Sequence, residues 1–433
     1  MTQYSPPSAT SPLPPPRSLL GNAFWAVLGN LFYAGGRFLI IILLAKSFPS
    51  EQVGRVFFAL AVITPLSFVV NLELRSVFVT DTRGWVNPGH CLASRLLTNL
   101  LFAGLLLLAL PISWRIWGLP QATALLLVGA IRIAESWADV YLGVLQKHER
   151  MKNWAISQAL KTICVLAWAL VVALSFSQVA WFLLGWFVIT LAVLWGYDRH
   201  RAAESASLDL QWNPAVVWDL VRFGLPLGLF VAMASSNQYI GQYFIKAALG
   251  DSAVAHFAAL MAVVAGLAAV QNGVNQAVLP RLARHFLRNL GQFWKLLGGI
   301  LSLSWLALAA ILALVWLQGH NILLVLYGEE YARFDRLFLL VVFAGALVLT
   351  GMALGDAVIA CHRFKSRTAA VACGLGANAL VCWLFVGKYG LVAAAWAAAV
   401  AGAVICLYCT AVLLLASRNR TSLGIDVQAG PQP

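Results

Sequence analysis

The sequence is poor in charged residues, which make up only 10% of its 433 positions. Ordinary globular chains carry about a quarter, whereas 61% of this chain is hydrophobic. No water-soluble fold can bury that much apolar surface. The composition therefore excludes a soluble globular domain and predicts an integral membrane protein.

Acidic residues are especially scarce: 16 Asp and Glu stand against 29 Lys and Arg, a formal net charge of +13. In a chain this apolar, the excess indicates cytoplasmic loops of a polytopic membrane protein rather than nucleic-acid binding. With the amino terminus inside, nineteen basic residues fall in cytoplasmic breaks, seven in the opposite breaks and three within spans. We therefore expect both termini in the cytoplasm and no nucleic-acid partner.

The chain also has few residues suited to redox, metal or nucleotide chemistry. Its seven cysteines are an odd number and lie mostly in apolar runs, so no disulfide framework is expected. Cys406 and Cys409 form a C-x-x-C pair, but without the polar surroundings that a redox or metal site needs. No G-x-x-x-x-G-K-[ST] loop and no H-E-x-x-H motif is present. The sequence predicts no cofactor and no metal, and makes an enzyme the weaker class.

Long apolar runs are abundant. After a proline-rich start, apolar stretches of about 20 residues recur, each long enough to cross a hydrocarbon core of roughly 30 Å. They lack the period-two alternation of barrel strands, so they predict helices. The twelve expected spans are 19–45, 53–78, 92–113, 119–145, 154–176, 178–197, 220–249, 253–279, 292–317, 336–360, 368–387 and 389–416.

The longest polar break divides the spans six and six, and short motifs echo each other in the two halves. Residues 53–55 (VGR) open span 2, and residues 254–256 (VAH) open span 8. We expect an all-α integral membrane fold with twelve transmembrane helices in two parallel six-helix lobes around a central cavity. The expected parts are a disordered cytosolic tail over 1–18, the first lobe over 19–197, a cytoplasmic linker over 198–219, the second lobe over 220–417 and a disordered cytosolic tail over 418–433.

Polar side chains inside spans are candidates for function, because they are costly in hydrocarbon and usually face a bundle interior or a wet cavity. In span 1, Asn30, Tyr33 and Arg37 share one helical face at 100° per residue. This face predicts a cation near mid-span that points into a cavity. The alternative is close helix packing through Gly29 and Gly36, with Arg37 reaching out to the membrane interface.

Spans 7 and 8 carry stripes of amide and hydroxyl side chains. The stripes are Ser235, Gln238, Tyr239, Gln242 and Lys246 in span 7, and Gln271 and Asn275 in span 8. Such stripes suit sugar hydroxyls, which need many paired donors and acceptors. They equally suit hydrogen bonds that hold helices together, and the sequence leaves both interpretations open.

Span 4 carries the densest charge, with Arg132, Glu135 and Asp139 on one face. We expect Arg132 to pair with Glu135, and Asp139 with Lys161 of span 5, in a structural salt-bridge network. The functional alternative is a carboxylate that exchanges a proton, or a pair that opens between inward and outward states. Asp356 in span 10 is a lone acid that either binds a cation or caps a turn.

Several short motifs occur in an order and spacing that resemble a known family. They are residues 20–25, 51–54, 222–227, 326–331 and 388–395, with the sequences LGNAFW, EQVG, RFGLPL, LYGEEY and KYGLVAAA. Across residues 19–417 the chain resembles the bacterial oligosaccharide flippases of the polysaccharide transport family. That family translocates O-antigen, capsule or exopolysaccharide units, within the multidrug/oligosaccharidyl-lipid/polysaccharide (MOP) exporter superfamily.

The resemblance implies a transporter rather than an enzyme. Its implied substrate is a polyprenyl-pyrophosphate-linked oligosaccharide, moved from the cytoplasmic to the periplasmic leaflet of the bacterial inner membrane by alternating access between the lobes. The implied partners are that lipid-linked glycan, membrane lipids, and proteins of glycan synthesis and polymerisation. The chain departs from the family at residues 237–242 (NQYIGQ), where members often carry an Asp-Arg pair.

A pyrophosphate carries at least two negative charges, so fixed cations in a wet cleft lower its barrier to crossing. By resemblance and position, the expected anchor is Arg37, the supporting cations are Arg132, Lys161 and Lys246, and the sugar contacts are Asn30, Tyr33, Tyr239 and Gln242. The expected coupling or salt-bridge carboxylates are Glu135, Asp139 and Asp356. Competing interpretations are a cation-coupled multidrug exporter of the same superfamily, an integral-membrane glycan polymerase or ligase, and a scaffold for synthesis enzymes.

Overall fold

The computed structural model describes residues 19–81 and 84–422, and the regular structure of that part of the chain is helical throughout. The helices are α1 (Leu19–Ser47), α2 (Ser50–Asn71), α3 (Leu74–Thr80), α4 (Pro88–Trp117), α5 (Leu119–Lys147), α6 (Met151–Ser175), α7 (Val179–Val193), α8 (Arg199–Ala203), α9 (Pro214–Leu249), α10 (Asp251–Arg288), α11 (Leu290–Tyr327), α12 (Glu329–Ala332), α13 (Asp335–Ala360), α14 (Phe364–Tyr389) and α15 (Leu391–Ser422). A π-helical turn, Leu194–Asp198, joins α7 to α8. The tail expected at residues 1–18, and residues 423–433 of the tail expected at 418–433, lie outside the described residues.

Eleven stretches of the described chain are long and apolar enough to cross a membrane. α2 with α3 forms one of these stretches, and α7 with α8 forms another. α5 is also long, at 29 residues, but its second half carries the charged residues Arg132, Glu135 and Asp139. These charges keep α5 from being recognised as a membrane span by its composition alone. With α5 included, the twelve spans expected from the sequence are present, and the chain is a multi-pass membrane protein.

The break between the two halves is shorter than the sequence suggests. Asp198, expected as the first linker residue, is fully buried in the π-helical turn, and helix continues to Ala203. α9 begins at Pro214, where the Asn213 side chain accepts hydrogen bonds from two free backbone amides. α15 continues to Ser422, so the start of the expected carboxyl-terminal tail is helical. Hydropathy marks only the hydrocarbon core, whereas these helices extend beyond it.

The two lobes repeat one packing scheme. In the first lobe α1 packs on α6, while α5 packs against α2, α4 and α7. In the second lobe α9 packs on α14, while α13 packs against α10, α11 and α15. Equivalent turns also share a conformation: Glu149 and His362 have positive φ, and the amides of Arg150 and Arg363 bond to carbonyls five residues earlier. The repetition confirms the expected fold of two six-helix lobes.

We call the end of the bundle where α1 begins and α15 finishes the basic end, and the opposite end the far end. At the far end α2 of the first lobe meets α10 of the second. The hydroxyls of Ser50 and Ser252, which lie in the first turns of the two equivalent helices α2 and α10, are 2.7 Å apart. A Cβ at Gly54 would overlap the carbonyl oxygen of Asp251. The lobes are therefore in tight contact at the far end.

Towards the basic end the lobes separate beside α10. This helix buries almost every residue from Val254 to Val264, but beyond them only Gln271, Asn275 and Leu282. α10 is thus covered by its neighbours near the far end and largely exposed towards the basic end.

α1 shows the same change. Among its described side chains, Gly29 and Gly36 are buried on α6, and the other buried positions begin at Ile40, near the far end. On the opposite side of the molecule the contact continues, because Gly224 of α9 packs on the carbonyl of Leu72. From these exposed halves we infer a cleft between α1 and α10 at the basic end, which is closed at the far end.

Candidate functional site

Arg37 lies in the middle of α1 and faces the interior of the first lobe. Its guanidinium carbon lies 4.6 Å from the centre of the Tyr33 ring, and its Nη2 atom is 3.9 Å from Oε1 of Glu135 on α5. Nη2 is inaccessible to solvent and has no hydrogen-bond acceptor among the described residues. Arg37 therefore does not reach out to the membrane interface, and the geometry favours the cavity interpretation.

The glycines beside Arg37 have the packing role considered as the alternative. Gly29 lies against the ring of Trp154, and Gly36 lies against Thr162, both on α6. The absence of side chains at these positions lets α1 and α6 approach closely. Both interpretations of span 1 thus apply at once, because the glycines and the arginine use different parts of the helix surface.

Arg132 pairs with Glu135 as expected. Its Nη1 atom donates to Oε2 of Glu135 over 2.5 Å, and its Nη2 atom donates to the Thr64 hydroxyl of α2 over 3.0 Å. The side chain is only 10% exposed, and its Nε atom has no acceptor in the described part of the chain. Glu135 consequently bridges two arginines, one at each carboxylate oxygen.

Lys161 of α6 completes this group, but with a partner that the sequence did not indicate. Its Nζ atom is 2.5 Å from Oδ2 of Asp198, which is completely buried. It is also close enough to Glu135 to interact with it electrostatically. We call Arg37, Arg132 and Lys161, with the carboxylates of Glu135 and Asp198, the cation cluster.

The expected pair of Asp139 with Lys161 is wrong. Asp139 lies 3.4 Å from Arg75 of α3 and 3.6 Å from Arg95 of α4. Arg95 is fully buried, and its Nη1 atom donates to the backbone carbonyl of Asn71 over 3.0 Å. The short helix α3 and the start of α4 carry these arginines to α5, whereas the π-helical turn carries Asp198 to α6. Residue order along the chain does not reveal either placement.

Two tyrosines flank the cation cluster from different lobes. Tyr33 of α1 and Tyr239 of α9 both lie close enough to interact electrostatically with Arg132. Gln242, one turn from Tyr239, is buried and its Oε1 atom has no hydrogen-bond donor among the described residues. Asn30 is exposed. The structure thus gathers the first-lobe cations beside one aromatic residue of the second lobe.

Lys246 lies elsewhere, at the far end. It forms an ion pair with Asp251, its side chain is 8% exposed, and it is 3.4 Å from Oε1 of Gln121. Nε of Arg55 approaches the other oxygen of Asp251 at 3.6 Å. The expectation that Lys246 supports Arg37 in one cavity is therefore wrong. Lys246 lies one turn before Gly250, which joins α9 to α10 at the far end, where the lobes are in contact.

The far end holds one more polar contact between elements. His256 of α10 lies 2.9 Å from Oε1 of Glu330 in α12. Burial tends to raise the pKa of Glu330, but hydrogen bonds with Ser50 and His256 outweigh it and hold that pKa below its ordinary value. Glu330 is thus kept ionised where the first turn of α2 meets the second lobe.

The amide stripe of span 8 holds helices together. Gln271 donates to Asn275 over 2.8 Å, Asn275 donates to Asp356 of α13 over 2.8 Å, and Ser304 of α11 donates to Gln271 over 3.1 Å. Asp356 is therefore tied to α10 and is not a turn cap. Of the two interpretations of this stripe, helix packing is the one that the contacts favour.

The cation cluster is suited to binding an anion in the middle of a membrane protein. Three cations face two carboxylates, so the group keeps a net positive charge where hydrocarbon would normally exclude it. Buried N–H groups of Arg37 and Arg132 lack acceptors, and such groups gain substantially from a charged acceptor. No three metal-ligating side chains come together in residues 19–81 and 84–422.

Four residues that form contacts with the predicted charged residues were not predicted from the sequence: Thr64, Arg75, Arg95 and Asp198. Thr64 looks like an ordinary residue of an apolar span, and the two arginines and the aspartate fall at predicted loop boundaries. The one available signal is the run of residues 195–198 (WGYD), in which an acid directly follows an apolar span. Its burial depends on the π-helical turn, which hydropathy cannot show.

Comparison with known proteins places this geometry in context. No family model matches the chain. A capsular polysaccharide biosynthesis protein of Staphylococcus aureus, CapF, is 24% identical over 386 residues, which cover 87% of this chain and 94% of the relative. The chain superposes on the lipid II flippase MurJ in an inward closed conformation with a TM-score of 0.67, at 12% identity, over 95% of this chain and 93% of MurJ.

The chain is equally similar to an inward-facing multidrug resistance transporter of the MATE family. That superposition has a TM-score of 0.68 at 14% identity and covers 93% of this chain and all of the transporter. The fold is therefore that of the MOP superfamily, and a polysaccharide biosynthesis protein is among the relatives. The resemblance drawn from the sequence motifs is confirmed.

Proposed function

We propose that this protein is a flippase for a polyprenyl-pyrophosphate-linked oligosaccharide in the biosynthesis of a cell-surface polysaccharide such as capsule, O-antigen or exopolysaccharide. The observation that carries the proposal is the cation cluster, which lies in the first lobe beside a cleft that is open at the basic end only. The capsular polysaccharide relative and the flippase neighbour support this substrate class.

The cations answer the main physical obstacle to such transport. A pyrophosphate is strongly disfavoured in hydrocarbon, and its oxygens need charged donors throughout the crossing. We assign Arg37 as the principal anchor, because it is the most exposed cation of the cluster and its Nη2 atom lacks an acceptor. Arg132 and Lys161 act as supporting cations. Glu135 holds both arginines in place and yields them to the incoming anion.

The other parts of the substrate have suitable surroundings. Tyr33 and Tyr239 flank the cation cluster from opposite lobes, and aromatic faces with hydroxyls suit sugar rings. Asn30 and Gln242 offer amides to the sugar hydroxyls. The prenyl chain stays in lipid through the gap between α1 and α10, so no apolar tunnel through the protein is needed.

We place the basic end on the cytoplasmic side of a bacterial inner membrane. The excess of Lys and Arg at that end follows the positive-inside rule, and it puts both termini in the cytoplasm. In this orientation the cleft faces the leaflet where lipid-linked glycans are assembled. Alternating access then closes the basic end and opens the far end to release the glycan.

The contacts favour a glycan flippase over a cation-coupled drug exporter. An exporter of cationic drugs needs a carboxylate that can meet the drug, but Glu135 and Asp198 are each paired with a cation at 2.5 Å. Asp356, an acid nearer the basic end of α13, is hydrogen-bonded to Asn275 in the second lobe. Cells that overproduce the protein should therefore extrude the cationic dye ethidium no faster than control cells.

The test of the proposal is the variant Arg37→Ala in cells that depend on this protein for surface polysaccharide. Loss of a charge-assisted contact costs about 1.5–3 kcal/mol, so we expect glycan export to fall roughly ten- to a hundredfold. The matched control is Arg115→Ala, which removes an exposed arginine at the far end of α4. Protein amount is measured for both. Export at the wild-type rate by Arg37→Ala would contradict the anchor role.

A further inference from the structure

The direction of α10 shows which of its faces borders the cleft. Ser252 touches Ser50 of the other lobe, so the direction of its side chain marks the face towards the first lobe. Val270 follows after eighteen residues, which is five full helical turns, and so it points the same way. Arg288 lies another eighteen residues on, beyond Pro280 within the helix, and continues the same helical register. All three lie along one line on the helix.

This face is exposed along the half of α10 near the basic end. Around the line through Val270 and Arg288, the exposed positions are Val270, Gly273, Val274, Ala277, Arg281, Arg284 and Arg288. The first four are small or apolar, and the last three are cationic. We call Arg281, Arg284 and Arg288 the mouth arginines. They border the cleft on the side that faces the first lobe.

The mouth arginines begin at the depth of lipid headgroups. Arg281 is thirty residues beyond Asp251, which corresponds to about 45 Å of helix. A bilayer with its headgroup layers is about 40–45 Å thick, and Asp251 begins the helix at the far end. Arg281 therefore lies at the phosphates of the leaflet at the basic end, and Arg284 and Arg288 follow about 5 and 10 Å further along the helix, at the water side of the headgroups.

Within residues 19–81 and 84–422, no acidic side chain pairs with these three arginines. The structure gives none of them an ion pair or hydrogen bond within the described chain, and Asp356 is the only described acid towards the basic end of α10, α11, α13, α14 and α15. The first lobe differs sharply: Arg75, Arg150 and Lys161 are each paired with a carboxylate. Like charges three and four residues apart also repel each other on one helix face.

General rules of membrane topology do not account for the arrangement. The positive-inside rule favours basic residues at this end but sets no direction around the helix. The helix dipole favours cations only in the last turn, which contains Arg288 but neither Arg281 nor Arg284. An anion that passes through the mouth of the cleft would explain both the direction and the absence of counter-charges.

We propose that the mouth arginines form an outer docking site for the pyrophosphate head of the lipid-linked substrate, which it occupies before it reaches Arg37. This proposal rests on the proposed function and adds a first step to it. The small apolar residues Val270, Gly273, Val274 and Ala277 line the path from the docking site towards the middle of the membrane. We assign the site to this substrate and not to an ordinary phospholipid, because the site faces the cleft and not the outer surface of the bundle.

The experiment compares two triple variants of the full-length protein in phosphatidylcholine nanodiscs. One is Arg281→Gln with Arg284→Gln and Arg288→Gln. The matched control is Lys295→Gln with Arg363→Gln and Lys365→Gln, which removes the same charge from exposed residues at the same end on other elements. The probe is farnesyl pyrophosphate, a short soluble polyprenyl pyrophosphate, and its association is followed by stopped-flow tryptophan fluorescence.

We expect the mouth variant to bind the probe about tenfold more slowly at low salt, as electrostatic steering would predict. The difference should shrink in about 0.5 M salt, and the dissociation rate should change less than it does in Arg37→Ala. The control triple variant should associate at close to the wild-type rate. Should the mouth variant express poorly, the single variant Arg284→Gln provides the same comparison with a smaller effect.

The outcomes separate the two proposals. If the wild-type protein binds the probe through Arg37 but the mouth variant associates normally, the docking site is wrong and the flippase proposal stands. Equal slowing by both triple variants would also overturn the docking site, because any charge at that end would then suffice. Wild-type protein that neither binds the probe nor exports glycan would instead contradict the proposed function.

Discussion

The far end and the basic end of the bundle use their charged residues in opposite ways. At the far end the charges join the two lobes: Arg55 of the first lobe and Lys246 of the second share Asp251. At the basic end the ion pairs identified among the described residues lie within the first lobe and its linker, as with Arg150 and Glu204. Closure is thus built from contacts between the lobes at one end, while the other end is free to open without breaking an ion pair.

This difference shows how a symmetric fold can favour one state. The equivalent helices α2 and α10 meet at Ser50 and Ser252, so a rocking motion of the lobes about that region would open one end as it closes the other. The polar contacts found at the far end stabilise the state with the cleft open at the basic end. Weakening them should shift the population towards the opposite state, by an amount that depends on their free energy.

The largest change should come from the variant Gly54→Ala. The new Cβ would overlap the backbone carbonyl of Asp251, and overpacking of this kind costs about 1–3 kcal/mol. We expect the far end to open and glycan export to fall roughly tenfold or more. Opening is measured by the labelling of Ser252→Cys with a membrane-impermeant thiol reagent added from the far side.

The control for that variant is Gly35→Ala, because an added Cβ at Gly35 meets no atom within 4 Å. It should leave both export and thiol labelling unchanged. If Gly54→Ala labels at the same rate as Gly35→Ala, close contact between α2 and α10 is not what holds the far end shut.

A smaller effect is expected from Asp251→Asn. The change leaves Arg55 and Lys246 without their shared carboxylate, and the two cations then oppose closure of the far end. Loss of a buried charged partner costs about 1–3 kcal/mol, so thiol labelling at Ser252→Cys should rise about fivefold or more. Asp335→Asn, an acid at the same end outside this network, is the matched variant. Equal labelling of the two would show that the ion pairs do not contribute to closure.

The smallest effect is expected at the basic end, from Glu204→Gln. Hydrogen bonds from Arg201 and Arg150, each at 2.7 Å, lower the pKa of Glu204 below its ordinary value. A lowered pKa means that the carboxylate stabilises the fold above its ordinary pKa of 4.5 and loses this effect as the pH falls through its lowered value.

Because Glu204 is exposed, its contribution is small. The thermal midpoint of Glu204→Gln should lie less than about 2 °C below that of the wild type at pH 7, and the two should coincide at low pH. Thiol labelling at the far end should not change. A change in that labelling would contradict the separation between pairs within a lobe and pairs between lobes.

Much of the fold could be predicted from the sequence, because the formation of each span depends only on the residues within it. A backbone in hydrocarbon must satisfy its own hydrogen bonds, so every apolar run of sufficient length becomes a helix. The pair Arg132 and Glu135 was predictable for a similar reason, since residues three apart on one helix are neighbours. The close packing of Gly29 and Gly36 likewise follows from their small size.

The partners of the other charged residues were not predictable. Lys161 was expected to meet Asp139 but pairs with Asp198, which a π-helical turn brings into the first lobe. Lys246 was expected near Arg37 but lies at the far end. Helical periodicity gives the face and the approximate depth of a side chain, but it does not identify which neighbouring helix supplies the opposite charge.

The amino-acid sequence by itself determined the twelve spans, their division into two halves and the places along each helix where a charge enters the membrane. These depend on the transfer of single residues between water and lipid, which is a local property. Only the tertiary structure decided which cations share an anion and which end of the cleft is closed. Those outcomes depend on the meeting of helices that lie far apart in the chain, where a few ion pairs and one close backbone contact favour one arrangement of two similar lobes.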